Sequence, residues 1–183
     1  MELKKPKFSK KEVSQKFNLK DIFGVDFSKN SDLRDQIGQA IIDRMLERTA
    51  SSKDLNGRDF KAYSTGYKNS DDYKDFKSSS KVNMDLKGNM LEAIDIINDT
   101  VNTIKVGFDD ELETKKAFRH NTGDKGMTKR TFFGVNKSDI NAIKKEFKPE
   151  LADLKQSPPK SKVQTIGELL AEAKLLEELF GEG

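Results

Sequence analysis

Between Asp32 and Arg48 the chain sets Leu33, Ile37, Ile41 and Met45 four residues apart, with Ile42 and Leu46 beside them. Side chains at that spacing share one face of an α-helix, so the segment predicts a long helix with a single apolar stripe. Asn30 or Ser31 can cap its start, and Asp32 suits the positive end of the helix dipole. Arg44 falls inside the stripe and must snorkel or pair. Such a helix needs an apolar surface to lie on, and several segments can supply one. Val82, Met84 and Leu86 alternate as in a half-buried strand. Residues 93–97 and 101–108 read as a hairpin around Asn98-Asp99, with Ile104, Val106 and Phe108 on one face. Short extended pieces are expected near Phe60 to Tyr63 and at the end of Lys129 to Val135, and Asn56-Gly57 marks a sharp turn. The expectation is an α+β fold: a largely antiparallel sheet packed by one long helix, with peripheral helices and extended terminal arms.

Charge divides the chain further. Residues 1–30 hold eight lysines and four acids and read as a basic N-terminal arm. Within it, Ser9 to Glu12 has the spacing of a capping box that would open a short helix carrying Val13 and Phe17. Ile22, Phe23, Val25 and Phe27 follow as an extended run. Two readings stay open, a solvated tail or an arm whose Phe17, Phe23 and Phe27 dock on a neighbour. Residues 31–148 form the core domain, including a polar stretch, 64–81, that is long for a loop in a compact domain. Its Tyr67, Tyr73 and Phe76 point to an interaction loop that orders on a partner. Further helices are expected from Asp109 to about Arg119, and from Asn136 or Ser138 to Phe147. Residues 149–163, with Pro149, Pro158 and Pro159, read as a linker. Residues 164–183 hold five glutamates and one lysine, with Ile166, Leu169, Leu170, Ala173, Leu176 and Phe180 at helical spacing. This acidic amphipathic C-terminal helix would be marginal alone, so Leu169, Leu176 and Phe180 are candidate contacts to its own core or to another subunit.

Composition removes several function classes. There is no cysteine and only one histidine, which excludes disulfides, thiol catalysis, cysteine zinc sites and multi-histidine metal centres. Hydrophobic residues make up 34% and charged residues 36% of the chain, so the core must be thin and partners could complete its burial. A net charge of +3 does not by itself indicate a general nucleic-acid binder. No run approaches the ~20 apolar residues that span a bilayer, and the opening residues lack an apolar signal core, so no membrane association is expected. Glycine-rich phosphate loops and nucleophile elbows are missing, and no cofactor or metal site is expected. His120 falls at an expected helix C-terminus, where the dipole favours an imidazolium; a catalytic role would need a partner that the sequence does not advertise. Arg119, Lys125, Lys129 and Arg130 form a basic cluster suited to phosphate or to a carboxylate patch on a neighbouring subunit.

Four segments carry a resemblance. They are Arg48 to Ser64 (RTASSKDLNGRDFKAYS), Val82 to Leu91 (VNMDLKGNML), Ala117 to Gly123 (AFRHNTG) and Lys129 to Val135 (KRTFFGV). In this order they resemble the virion-morphogenesis proteins of tailed bacteriophages, the tail-completion and neck family, over about residues 33–147. The resemblance implies a small α+β domain without enzymatic activity, its helix 32–48 lying over a sheet built near 60–63, 82–86, 93–97, 101–108 and 130–133. It also implies a homo-oligomeric ring, often a hexamer, in the virion neck or tail after assembly in the host cytoplasm. Connector or neck proteins and tail-tube proteins would adjoin it, and phage DNA would touch it transiently and non-specifically. Tail completion, tail termination and head–tail joining are not separated by it. The alternative from the residues is a nucleic-acid-binding module using the basic arm and the 119–130 cluster. A carboxylate-based Mg²⁺ nuclease is a third reading.

Overall fold

The computed structural model describes residues 3–77, 80–84 and 88–156. It is an α+β fold whose four-stranded antiparallel sheet runs in the order β1-β2-β4-β3. The strands are β1 (Lys7–Ser9), β2 (Glu12–Asn18), β3 (Ile94–Thr100) and β4 (Thr103–Phe108). In the β2–β4 ladder Phe17 pairs with Ile104 and Gln15 with Val106. Paired residues project to the same face, so Val13, Gln15, Phe17, Ile104, Val106 and Phe108 form one buried layer. The opposite face is polar: Glu12 binds Lys7 and Lys105 and accepts from Ser14, while Lys16 and Asp95 are exposed.

The N-terminal residues are therefore no arm. Ser9 and Glu12 close a hairpin instead of capping a helix, with the Ser9 hydroxyl donating to the Glu12 carbonyl. The spacing fits both structures. The two-residue alternation of Val13, Gln15 and Phe17 decides for the strand, because Val13 stands across from Phe8 of β1, and Gln15 and Phe17 across from Val106 and Ile104 of β4. A one-turn helix, α1 (Leu19–Phe23), takes Ile22 and Phe23 out of the expected extended run, while Val25 and Phe27 lie beyond it; Asn18 caps it and Gly24, at φ 71°, ends it. Phe17 is fully buried, and Phe23 and Phe27 nearly so. All three belong to the chain's own core and are unavailable to a neighbour.

The long helix is α2 (Ser31–Ala50), with the Asn30 side chain accepting from the Leu33 N–H. Leu33, Ile37, Ile41 and Met45 are buried as their spacing requires. At Gly38 a Cβ would come within 2.5 Å of Ile96 Cδ1 and 3.1 Å of Ile104 Cδ1, so the missing side chain lets α2 lie close on the sheet. Arg44 pairs with Glu47 and with Glu146.

The stretch 64–81 is not an irregular loop through its first half. It holds two short helices, α3 (Thr65–Lys68) and α4 (Asp71–Phe76), capped by Ser64 and Ser70. Val82 and Met84 are buried but join no strand, Leu86 lies outside the described residues, and α5 (Asn89–Glu92) follows. The β3–β4 hairpin is present, but its turn is at Val101-Asn102, with a bulge between Ile96 and Asn98. Asn102 explains the shift: its side chain accepts from the Phe27 N–H and its carbonyl accepts from the Leu19 N–H.

Helix α6 (Glu111–Thr122) starts on Asp110 and ends on Gly123 at φ 79°. Helix α7 (Lys137–Glu146) has a complete capping box between Asn136 and Asp139. The expected linker begins as helix α8 (Lys148–Gln156), which buries Leu151. Pro149 stands in its first turn, where the lost N–H has no helical partner to forfeit. The rest of that linker lies outside the described residues.

No strand forms at 129–135, and side chains hold that segment instead. Gln15 accepts from the Val135 N–H at 2.9 Å, and Asn121 accepts from the Phe133 N–H at 3.0 Å. Arg48 donates to the carbonyls of Phe132 and Gly134 and pairs with Asp139 at 2.6 Å.

Two outcomes follow from this architecture. Deleting residues 1–18 removes an inner strand, so the cooperative urea transition of the full chain should be lost; loss of a mere arm would leave it unchanged. Arg48→Met removes the cation paired with the partly buried Asp139 and a donor to two carbonyls and should cost about 3 kcal/mol, read as a lower urea midpoint.

Candidate functional site

The C-terminal end of α6 is pinned from both sides. The Arg130 N–H donates to the His120 carbonyl, and the Thr131 hydroxyl donates to the Asn121 carbonyl. Arg130 then turns toward the segment before α3, its Nε donating to the Lys61 carbonyl at 2.9 Å and Nη2 to the Ala62 carbonyl at 3.0 Å. Its guanidinium lies 5.0 Å from the centre of the Tyr63 ring. Burial lowers the Arg130 pKa, opposed by the neighbouring tyrosines.

Tyr63 is one vertex of a triangle of rings. Its centroid lies 5.0 Å from Tyr67 and 5.8 Å from Tyr73, and those two are 5.4 Å apart. These are all three tyrosines of the chain. The serine caps set the triangle up, since Ser64 receives the Tyr67 N–H and Ser70 the Tyr73 N–H. Burial raises the pKa of Tyr63 and Tyr67.

Beside the triangle opens a cavity of about 600 Å³. Tyr63 and Tyr67 form one wall, Met84, Met90 and Met127 supply thioethers, and Lys116, His120 and Arg130 supply nitrogen groups. A volume of this order is typical of ligand and peptide pockets. His120 departs from expectation. Burial first, and then the Arg130 charge, push its pKa down to about 4. The imidazole is therefore neutral near pH 7, and its buried Nδ1 has no hydrogen-bond partner among the described residues. The dipole at an exposed helix end is worth only about 0.3–1 kcal/mol, too little to offset that desolvation.

The expected contact residues thus separate. Tyr67 and Tyr73 join the ring triangle, while Phe76 is 50% exposed. Arg130 is buried in backbone contacts and Arg119 is partly exposed on α6. Phe17, Phe23 and Phe27 are core, and Leu169, Leu176 and Phe180 lie outside the described residues. The three methionines and Tyr63 escape sequence reading because nothing but tertiary structure makes them neighbours. Among the described residues no cluster of His, Asp and Glu could hold a metal ion, and no helix is long and apolar enough to cross a membrane. Aromatic rings and thioethers suit the cavity to gripping an apolar body. No family model, curated protein or solved structure matches the chain.

The neutral imidazole sets a pH dependence. Its folded pKa lies below the ordinary value of 6.5, so its contribution is complete above pH 6.5 and is lost as pH falls toward about 4. The loss should reach about 3 kcal/mol at most. An NMR titration should place the His120 midpoint near 4. His120→Gln should flatten the stability profile between pH 6.5 and 4.5, above the usual carboxylate range.

Proposed function

We propose that the chain is a structural subunit of a homo-oligomeric ring in the neck or at the top of the tail of a tailed bacteriophage. Its role there would be tail completion, tail termination or head–tail joining around the DNA passage. One observation carries this reading: three of the four segments behind the phage resemblance interlock in space, although up to 87 positions separate them. Arg48 reaches Phe132 and Gly134, Leu55 donates to the Thr131 carbonyl, and Arg130 reaches Lys61 and Ala62. Arg130 also donates through its backbone to His120. The resembling residues thus form one architectural unit, which supports the reading. Neighbouring copies would meet through unlike surfaces, as a closed ring requires.

A nucleic-acid-binding role draws less support. Arg130 is buried and committed to two backbone carbonyls, so it is withdrawn from phosphate.

Native mass spectrometry and electron microscopy of the full chain should find a closed ring. A monomer at every concentration would overturn the reading. Because α8 belongs to the folded body, the informative truncation starts at residue 157. Removing 157–183 should weaken ring assembly at least tenfold while leaving the urea transition of the remaining chain in place.

A further inference from the structure

Part of the lining of the cavity beside the tyrosine triangle comes from α6. Leu112, Lys116 and His120 stand four residues apart and so share one face of that helix. Lys116 and His120 line the cavity, and Leu112 is 59% exposed, the most exposed large apolar side chain among the described residues. A track therefore leads along α6 from Leu112, past Lys116 and His120, to the pocket that Met84, Met90 and Met127 help to line. Unbranched methionines adapt their shape to whatever enters.

Charge surrounds this track. Lys125 and Lys129 bracket the lining segment 126–128, both are exposed, and Arg119 precedes His120 on α6. None of the three has an ion-pair partner among the described residues. Lys116 is held by Glu113, and Lys115 by Glu111. The occupant that fits is apolar along one side and acidic along the other.

The chain carries such a segment beyond Gln156. Residues 164–183 repeat Ile166, Leu169, Leu170, Ala173, Leu176 and Phe180 at helical spacing and hold five glutamates against one lysine. We infer that the track from Leu112 to the methionine-lined cavity is the receptor for residues 164–183 of a neighbouring copy. The apolar stripe enters among the methionines and tyrosines, in the manner of an amphipathic helix in a groove, and the glutamates face Arg119, Lys125 and Lys129. This rests on the ring reading and names its subunit contact. A tail on one surface and a pocket on another make the unlike pair that closes a ring.

The chain's five methionines give a direct test. In the full-length protein carrying ¹³C-methyl methionine, the Met84, Met90 and Met127 signals should move as concentration rises. Met45, fully buried on the inner face of α2, should stay fixed. Leu176→Asp combined with Phe180→Asp, both beyond every core residue named above, should hold the three signals at their dilute positions. The same variant should weaken self-association on the order of a hundredfold by native mass spectrometry. A ring whose cavity methionines respond identically in wild type and variant overturns this contact and leaves the ring reading standing. Concentration-independent signals in a monomer that still change with the variant mean that the tail docks within its own chain, which overturns the neighbouring-copy assignment. A monomer insensitive to the variant overturns both.

Discussion

A buried guanidinium holds this fold together. Arg48, in the last turn of α2, leaves little of its side chain in water, where desolvation lowers its pKa and Asp139 opposes the shift. Such a group is tolerated only when paired and hydrogen-bonded, and three parts of the chain meet that demand. The carbonyls of Phe132 and Gly134 and the carboxylate of Asp139 converge on it. Asp139 also accepts from the Asn136 N–H, and Asn136 donates to the Leu55 carbonyl. One charge thus fixes the end of α2, the start of α7 and the segment between α6 and α7. That segment carries Phe132 and Phe133, both fully buried, and Arg130, which orders the tyrosine triangle.

The scarcity of apolar residues finds a different answer from the one that composition suggested. The N-terminal aromatics that looked like anchors for a neighbour fill the chain's own core, and the sheet keeps one polar face. What is left for partners is narrower and more specific. Phe76 and Leu112 are exposed, and Arg119, Lys125 and Lys129 near the cavity have no ion-pair partner among the described residues. In the proposed ring, neighbouring copies would therefore need to meet over a small surface rather than complete one another's core.

Local signals were readable wherever the decisive partner lies within one element. The four-residue spacing in α2, the caps at Asn30 and Asn136, the acidic start of α6 and the hairpin of β3 and β4 were all legible. Each depends on periodicity or on a cap three residues away. Reading failed where a distant group decided. The hairpin turn moved because Asn102 binds Phe27, and the Lys129 to Val135 segment became a side-chain-held strap because Gln15, Arg48 and Asn121 satisfy its backbone. The serine caps at 64 and 70 were available in the sequence but were overshadowed by the absence of an apolar period.

The sequence by itself determined the α+β class, the long helix and its buried stripe, and the acidic, apolar-striped character of residues 164–183. Periodicity and charge are properties of the covalent order. Only tertiary contacts make the basic N-terminus a hairpin whose second strand is inner, keep His120 neutral, and bring Tyr63, Met84, Met90 and Met127 around one cavity. The physical reason is common to all three. Desolvation and cross-strand packing depend on what arrives from elsewhere in the chain, and no local window of residues contains that information.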